Sequence, residues 1–231
     1  MKRFSCTLIV FVLFSVNFIT AKEIWNDFSL PELDRPATCI TINGNSIFLG
    51  TSVNGIARSS DNGRNWDMLL EESISSKVRK ILKINKSTLF AIVGDNQIFR
   101  SFDNGGHWDK IHYFMEIGKE IRHADINSKG ELYVATRHAI YKSNNEGEAW
   151  RNITQGAEIG EIHTIGINPD DHLFASMEGQ YDGIFKMLPD GDDWIDCNGG
   201  LKKDDHADHF AFYGSEIVYA DIGGRIYLSK N

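Results

Sequence analysis

Ser59-Ser60-Asp61-Asn62-Gly63-Arg64-Asn65-Trp66 returns as Ser101-Phe102-Asp103-Asn104-Gly105-Gly106-His107-Trp108, and again as Ser143-Asn144-Asn145-Glu146-Gly147-Glu148-Ala149-Trp150. A weaker fourth copy, Met187-Leu188-Pro189-Asp190-Gly191-Asp192-Asp193-Trp194, follows. All five tryptophans, Trp25 included, stand at steps of 41, 42, 42 and 44 residues. A period of about 42 belongs to propeller blades or to helical arrays, so strand or helix content decides.

Strand content prevails. Ser46–Thr51, Thr88–Ile92, Glu131–Thr136, His172–Ser176 and Glu216–Asp221 are short and rich in β-branched and aromatic residues. An apolar segment ending in a turn precedes the first four of them, with Ile42-Asn43-Gly44, Ile84-Asn85, Ile126-Asn127 and Ile167-Asn168 read at one phase. A third strand follows each: Gly55–Arg58, Gln97–Arg100, Ala139–Lys142, Gly183–Lys186 and Arg225–Leu228. The tryptophan opens a fourth. Four antiparallel strands per period make a propeller blade, so the predicted fold is an all-β, five-bladed propeller.

Working outward to the termini, Lys2 and Arg3 precede an apolar run from Leu8 to Phe14, and Ile19-Thr20-Ala21 offers a small-residue cleavage site. Residues 1–21 read as an export signal, and the protein is expected to be secreted or periplasmic. The competing reading, a membrane anchor, needs about 20 mainly apolar residues. Ser5, Thr7, Ser15 and Asn17 interrupt this stretch, so no stable membrane insertion is expected after cleavage. Removing 21 of 231 residues leaves 210, five periods of 42, as one domain over 22–231. Ser229-Lys230-Asn231 begins a copy of the turn and Glu23-Ile24-Trp25 ends one. The segment from Trp25 to Phe28 is therefore expected to supply the fourth strand of the last blade, pairing near Ile226 and hiding two sheet edges.

The formal charge of −8 falls to −10 when Lys2 and Arg3 leave. Such a field repels nucleic acid, which is excluded as a partner. Cys39 and Cys197 remain after Cys6 is lost with the signal, on different blades and too few for a disulfide scaffold.

The pattern Ser/Thr-x-Asp-x-Gly-x-x-Trp resembles the Asp-box, or bacterial neuraminidase repeat, of sialidases, sortilin-type receptor domains and photosystem assembly factors. The first two copies match in full; the third has Asn145 for aspartate, and the fourth puts Met187 and Pro189 at the serine and aspartate positions. Ser59, Asp61, Gly63, Trp66, Ser101, Asp103, Gly105, Trp108, Ser143, Asn145, Gly147, Trp150, Gly191 and Trp194 then form structural clips. The acid accepts from its own turn, the glycine takes positive φ, and the indole packs between sheets. The resemblance implies an architecture rather than an activity, and it puts these turns on the face opposite the usual binding face.

Candidate chemistry therefore falls at the other end, where loops leading into each blade meet those joining its second and third strands. Arg35, Arg137, His138, Glu178, Tyr181, Asp182, Asp205 and His206 are the candidate ligand-binding residues there. Lys202–His209 is the densest polar cluster; it reads as a solvated loop, or as a metal site if His163 or His123 approached. His209 and His123, read at the phase of Cys39, Ile81 and Thr164, suggest channel lining.

Glycoside hydrolysis needs two carboxyls about 5 to 9 Å apart, one with a raised pKa. Glu161, Glu178, Asp182, Asp205 and Asp208 are available for it. Sialidase-like chemistry, which the resemblance brings in, further asks for three arginines and a tyrosine, where the mouth loops offer Arg35, Arg137 and Tyr181. No dinucleotide, phosphate-loop or nucleophile-elbow motif occurs, and no catalytic residue, cofactor or metal ligand is assigned. The expected function is a protein-binding or assembly scaffold with its partner at the channel mouth. The alternative is a glycan-binding or glycan-cleaving module, with Tyr181, Phe212 and Tyr213 as stacking surfaces.

Overall fold

A computed structural model describes residues 36–53, 55–69, 77–111, 120–154, 159–179, 182–187, 193–201, 207–214, 216–221 and 224–229. Among these, no helix occurs, and the strands form five antiparallel sheets. Sheet one holds β1 (Ala37–Asn43), β2 (Ser46–Thr51), β3 (Ile56–Ser59) and β4 (Asp67–Met68). Sheet two holds β5 (Val78–Lys83), β6 (Leu89–Val93), β7 (Gln97–Ser101) and β8 (Asp109–Ile111). Sheet three holds β9 (Ile121–Ile126), β10 (Leu132–Thr136), β11 (Ile140–Ser143) and β12 (Arg151–Asn152). Sheet four holds β13 (Ile159–Ile167), β14 (Leu173–Gly179), β15 (Gly183–Met187) and β16 (Trp194–Asp196). Sheet five holds β17 (His209–Tyr213), β18 (Glu216–Ala220) and β19 (Ile226–Ser229). Strands follow chain order in every sheet, and the first strands lie side by side from β1 through β5, β9 and β13 to β17. The result is an all-β propeller. The export signal, the strand expected over Trp25–Phe28 and Gly191 lie outside the described residues.

Burial explains why the second strands are the most apolar. Leu89–Val93 and Leu132–Thr136 are buried at every position, because a second strand has sheet neighbours on both edges and a sheet packed on both faces. The fourth strands Asp67–Met68 and Arg151–Asn152 are short and largely exposed, as suits an outer edge. Between consecutive sheets lie four apolar clusters, each built from both sides. Phe48, Phe90, Tyr133 and Phe174 hold equivalent positions in sheets one to four, opposite Arg58, Arg100, Lys142 and Lys186, and all four rings are buried.

The first three repeated turns are tied by hydrogen bonds within themselves. Ser59 Oγ donates to Asp61 Oδ1 at 2.9 Å and accepts from Gly63 N–H at 2.8 Å, while Asn65 N–H donates to Asp61 Oδ1 at 2.9 Å. Ser101, Asp103, Gly105 and His107 repeat this at 2.8 Å throughout. In the third copy Asn145 Oδ1 replaces the carboxylate, accepting from Ser143 Oγ at 3.0 Å and from Ala149 N–H at 2.9 Å. The turns also latch sheets together. Arg58 donates to the Asn104 carbonyl at 3.2 Å and Arg100 to that of Glu146 at 2.8 Å, each reaching the next sheet. Trp108, Trp150 and Trp194 pack in the clusters between sheets.

Two flanks differ from the rest. Ile226 is 75% exposed, whereas its equivalents Ile56, Ile98, Ile140 and Ile184 range from 0% to 3%. Ile40, equivalent to Ile81, Ala124 and Ile165, is 65% exposed. Sheets five and one thus each present, toward the seam of the ring, the surface that is buried at the other junctions.

Candidate functional site

The end opposite the turn clips is built where the joining loops reach the segments leading into each sheet. Ser52 N–H donates to the Pro36 carbonyl at 3.3 Å, Gly94 N–H to that of Lys77 at 2.8 Å, and Ile162 N–H to that of Arg137 at 2.8 Å. At this level sheets one to four each skip one residue of the first strand: Thr38, Arg79, Arg122 and His163. Such a bulge adds an unpaired residue and re-aims its side chain. The skipped side chains go to polar partners. Thr38 Oγ1 donates to the Val78 carbonyl, and Arg79 to the Ile121 carbonyl at 2.8 Å and to Glu120 at 3.3 Å. Arg122 pairs with Glu161, and His163 Nε2 lies 3.1 Å from a Glu178 carboxyl oxygen.

Four of the eight sequence-selected residues fall in this end of the described structure. Arg137 forks onto Glu161 from Nε at 3.0 Å and Nη2 at 2.6 Å. His138 Nδ1 lies 3.2 Å from the Gly160 carbonyl. Glu178 meets His163, and the Asp182 carbonyl accepts from Asn198 Nδ2 at 3.0 Å. Arg35, Tyr181, Asp205 and His206 lie outside the described residues. Sequence reading missed Arg79, Arg122 and Glu120. The signal was there in charged side chains recurring near the start of inner strands, but the bulge that aims them leaves no residue signature.

The phase drawn from the sequence needs one correction. Cys39, His123, Thr164 and His209 share their level with Lys80, not Ile81, because they pair with Gly50, Ala135, Ser176, Ala220 and, for Lys80, Ile92. The turn asparagines do not hold one level. Asn127 and Asn168 bind N–H groups two and four residues on, whereas Asn85 binds those two and three on and sits one place deeper in its turn.

Burial, then the nearby Lys80 cation, pushes the His123 pKa down to about 3, so this imidazole stays neutral. Burial lowers Lys80 as well, against the pull of Asp125, and its Nζ donates to the Ala124 carbonyl at 2.6 Å. Burial raises the thiols of Cys39 and Cys197, both of which are free.

Glu161 is held below the usual carboxylate range, first by its hydrogen bond from Arg137 and then by Arg122. A general acid for glycoside cleavage needs the opposite shift, so Glu161 is unsuited to that role. Phe212 stacks with Phe210 at 5.9 Å and packs on Phe174 at 5.5 Å, which makes it core rather than a sugar platform. Among the described residues no three His, Cys, Asp or Glu side chains gather as metal ligands; residues 204–206 of the acidic–histidine cluster lie outside them.

No protein-family model matches the sequence, and no curated protein does. Solved structures are similar in fold. YCF48 bound to D1 peptide superposes with a TM-score of 0.70 at 18% identity, over 88% of this chain and 66% of its own. YCF48 from Cyanidioschyzon merolae gives 0.65 at 16%, over 89% and 70%. A GH74 xyloglucanase from Xanthomonas campestris gives 0.65 at 16%, over 85% of this chain but 36% of its own. The chain thus spans 66% of the peptide-bound protein and a smaller share of the xyloglucanase. At these identities the likeness establishes a propeller fold.

Proposed function

We propose that the protein is an exported propeller of Asp-box type that binds a segment of a partner protein at its channel mouth and serves as a scaffold in that partner's assembly. The observation that carries this reading is the set of bulges in sheets one to four, which turns Arg79, Arg122 and His163 toward the end where Arg137, His138, Glu178 and Asp182 stand. Arg137 is the most accessible cation of that group, since it shares Glu161 with the less exposed Arg122. A rigid ring carrying polar groups on its loops suits recognition of an extended segment through hydrogen bonds. The likeness to a propeller with D1 peptide bound is in keeping with such a partner.

Site-specific photocrosslinking in the native host tests it. A photoreactive residue at His138 should capture a discrete protein, and one at Arg64, in the turn at the other end, should not. Arg137→Ala with Glu178→Ala should abolish the capture. Capture from position 64 alone, or capture unaffected by the double substitution, overturns the choice of face. Competition by soluble glycans would instead favour sugar recognition.

A further inference from the structure

The bulges of the first three sheets do more than re-aim single side chains. Beside them lies a cavity of about 220 Å³ that three sheets share. Thr38 lines it from sheet one, Lys77, Arg79 and Lys80 from sheet two, and Arg122 and His123 from sheet three. Thr38, Arg79 and Arg122 are the residues skipped in the pairing, and Lys80 and His123 directly follow two of them. Each bulge of sheets two and three therefore brings two adjacent polar side chains to one place, where regular alternation would bring one. The rest of the lining is apolar, and among the described residues no acid lines the cavity.

Four cations around one small cavity run against a chain whose formal charge is −8. Their acidic partners Glu120, Asp95, Asp125 and Glu161 stand outside the lining and leave donors over. Arg79 spends Nη1 alone on Glu120, Asp95 and the Ile121 carbonyl, which keeps Nε and Nη2 for a further acceptor. Lys80 Nζ gives one of its three N–H groups to the Ala124 carbonyl at 2.6 Å, and Asp125 stays 3.9 Å away. His123 adds a buried Nδ1 with no hydrogen-bond partner among the described residues. The potential at its ring is positive. After burial, what lowers the His123 pKa is the charge of Lys80, His209 and Arg79, with no acid set against them.

We propose that this cavity binds a tetrahedral oxyanion, either inorganic phosphate or the phosphate group of a small phosphomonoester. Its volume falls below the roughly 300–1,000 Å³ of sites for drug-sized ligands, so the occupant is a small anion or a single anionic group. The placing of the donors selects the shape. A carboxylate offers two oxygens in one plane, which a single arginine fork satisfies. Here two guanidinium and two ammonium groups come from two different sheets, which suits oxygens spread around a centre. Such binding needs no partner segment at Arg137 and His138, so it holds independently of the scaffold reading.

Isothermal titration of the full chain with inorganic phosphate tests it, at neutral pH and with chloride holding the ionic strength constant. One saturable site is expected, with sulfate competing and acetate at the same concentration inert. Lys80→Met and Arg79→Gln should each weaken phosphate about tenfold or more, the worth of a charge-assisted hydrogen bond. Lys77→Ala, which removes an exposed side chain and so spares the fold, should weaken it as well. Arg64→Gln, in a turn at the other end, should change nothing. Phosphate should also shift the imidazole NMR signals of His123 and leave those of His107, in the sheet-two turn, in place. Tighter binding of glycerol phosphate than of inorganic phosphate would support the site as the seat of one group of a larger ligand, and equal or weaker binding would support free phosphate. No saturable phosphate site, an equal response to acetate, or an affinity unmoved by the Lys80, Arg79 and Lys77 substitutions overturns the proposal.

Discussion

Replacing Gly105 by alanine separates the two functions of the repeated turn. Gly105 has φ +83°, and a Cβ built there would lie 2.7 Å from Phe48 Cε1 and 3.2 Å from Leu69 Cδ1, both in sheet one. Phe48 is fully buried, so its ring has no solvent-filled space to move into. Two costs add: about 1–2 kcal/mol for a left-handed alanine and about 1–3 kcal/mol for overpacking. Gly44 is the control, with φ +60° and nothing within 4 Å of its added Cβ, so only the backbone cost applies. Gly105→Ala should thus lose about 2–5 kcal/mol and Gly44→Ala about 1–2 kcal/mol. Urea unfolding followed by tryptophan fluorescence, with unchanged m-values, measures both. Adding Phe48→Leu should return part of the Gly105→Ala loss, giving a coupling energy above about 0.5 kcal/mol. Equal losses at the two glycines with no coupling would mean that the sheet-two turn does not press on sheet one, and the latch between sheets would fall with it.

Acid should expose the same turns. Hydrogen bonds from Asn65, its backbone N–H first, hold the Asp61 carboxyl down to about 2, and the His107 N–H leads in lowering Asp103. The unfolded chain binds these protons near pH 3.9, so the stability they contribute is complete above that pH and is lost as pH falls toward about 2. Asp61→Asn with Asp103→Asn should flatten the slope of unfolding free energy between about pH 2 and 4; an unchanged slope refutes the assignment. At neutral pH Asp103→Asn should lose the share of stability that ionisation adds but keep the bonds that Asn145 makes in the third copy, so it should cost less than Asp103→Ala. Asp103→Ala should cost about 1 kcal/mol, the net worth of a hydrogen bond, and equal melting temperatures for the two variants would count against that reasoning.

The fold was legible because its signal is local and repeated. A serine, an acid and a glycine at fixed spacing specify one turn through contacts within eight residues, and the tryptophan after it marks where the outer strand begins. The bulges were not legible, since Thr38, Arg79, Arg122 and His163 share a backbone position and no side-chain chemistry. Loop position alone picked out Arg137, His138, Glu178 and Asp182. Their partners came from elsewhere: Arg137 and Arg122 meet on Glu161 from different parts of the chain, a convergence that no spacing encodes. Ile81 was read at the level that Lys80 holds for a related reason, because the offset of Asn85 within its turn shows only in its hydrogen bonds.

The ring is uneven in how its sheets are joined, and this sets where it should open. Each of the first two sheets reaches the next with an arginine to a turn carbonyl, Arg58 to Asn104 and Arg100 to Glu146, and with Phe48 or Phe90 under the turn glycine. The equivalent positions in sheet five are Leu228 and Val218, which supply neither the cation nor the large ring. Sheet five therefore lacks the polar latch that orients the earlier junctions, and the flanks that Ile226 and Ile40 present at the seam stay exposed among the described residues. Amide exchange should be slowest in β6 and β10, where every side chain is buried, and fastest among the core strands in β19 and β1 at the two sides of that seam. Val218→Phe with Leu228→Arg, which restores both elements, should slow exchange in β19 and β1 while leaving β10 unchanged. Uniform protection across the five sheets, or no response to the double substitution, would mean that the seam is held as firmly as the other junctions and that the latch does not set the order of opening.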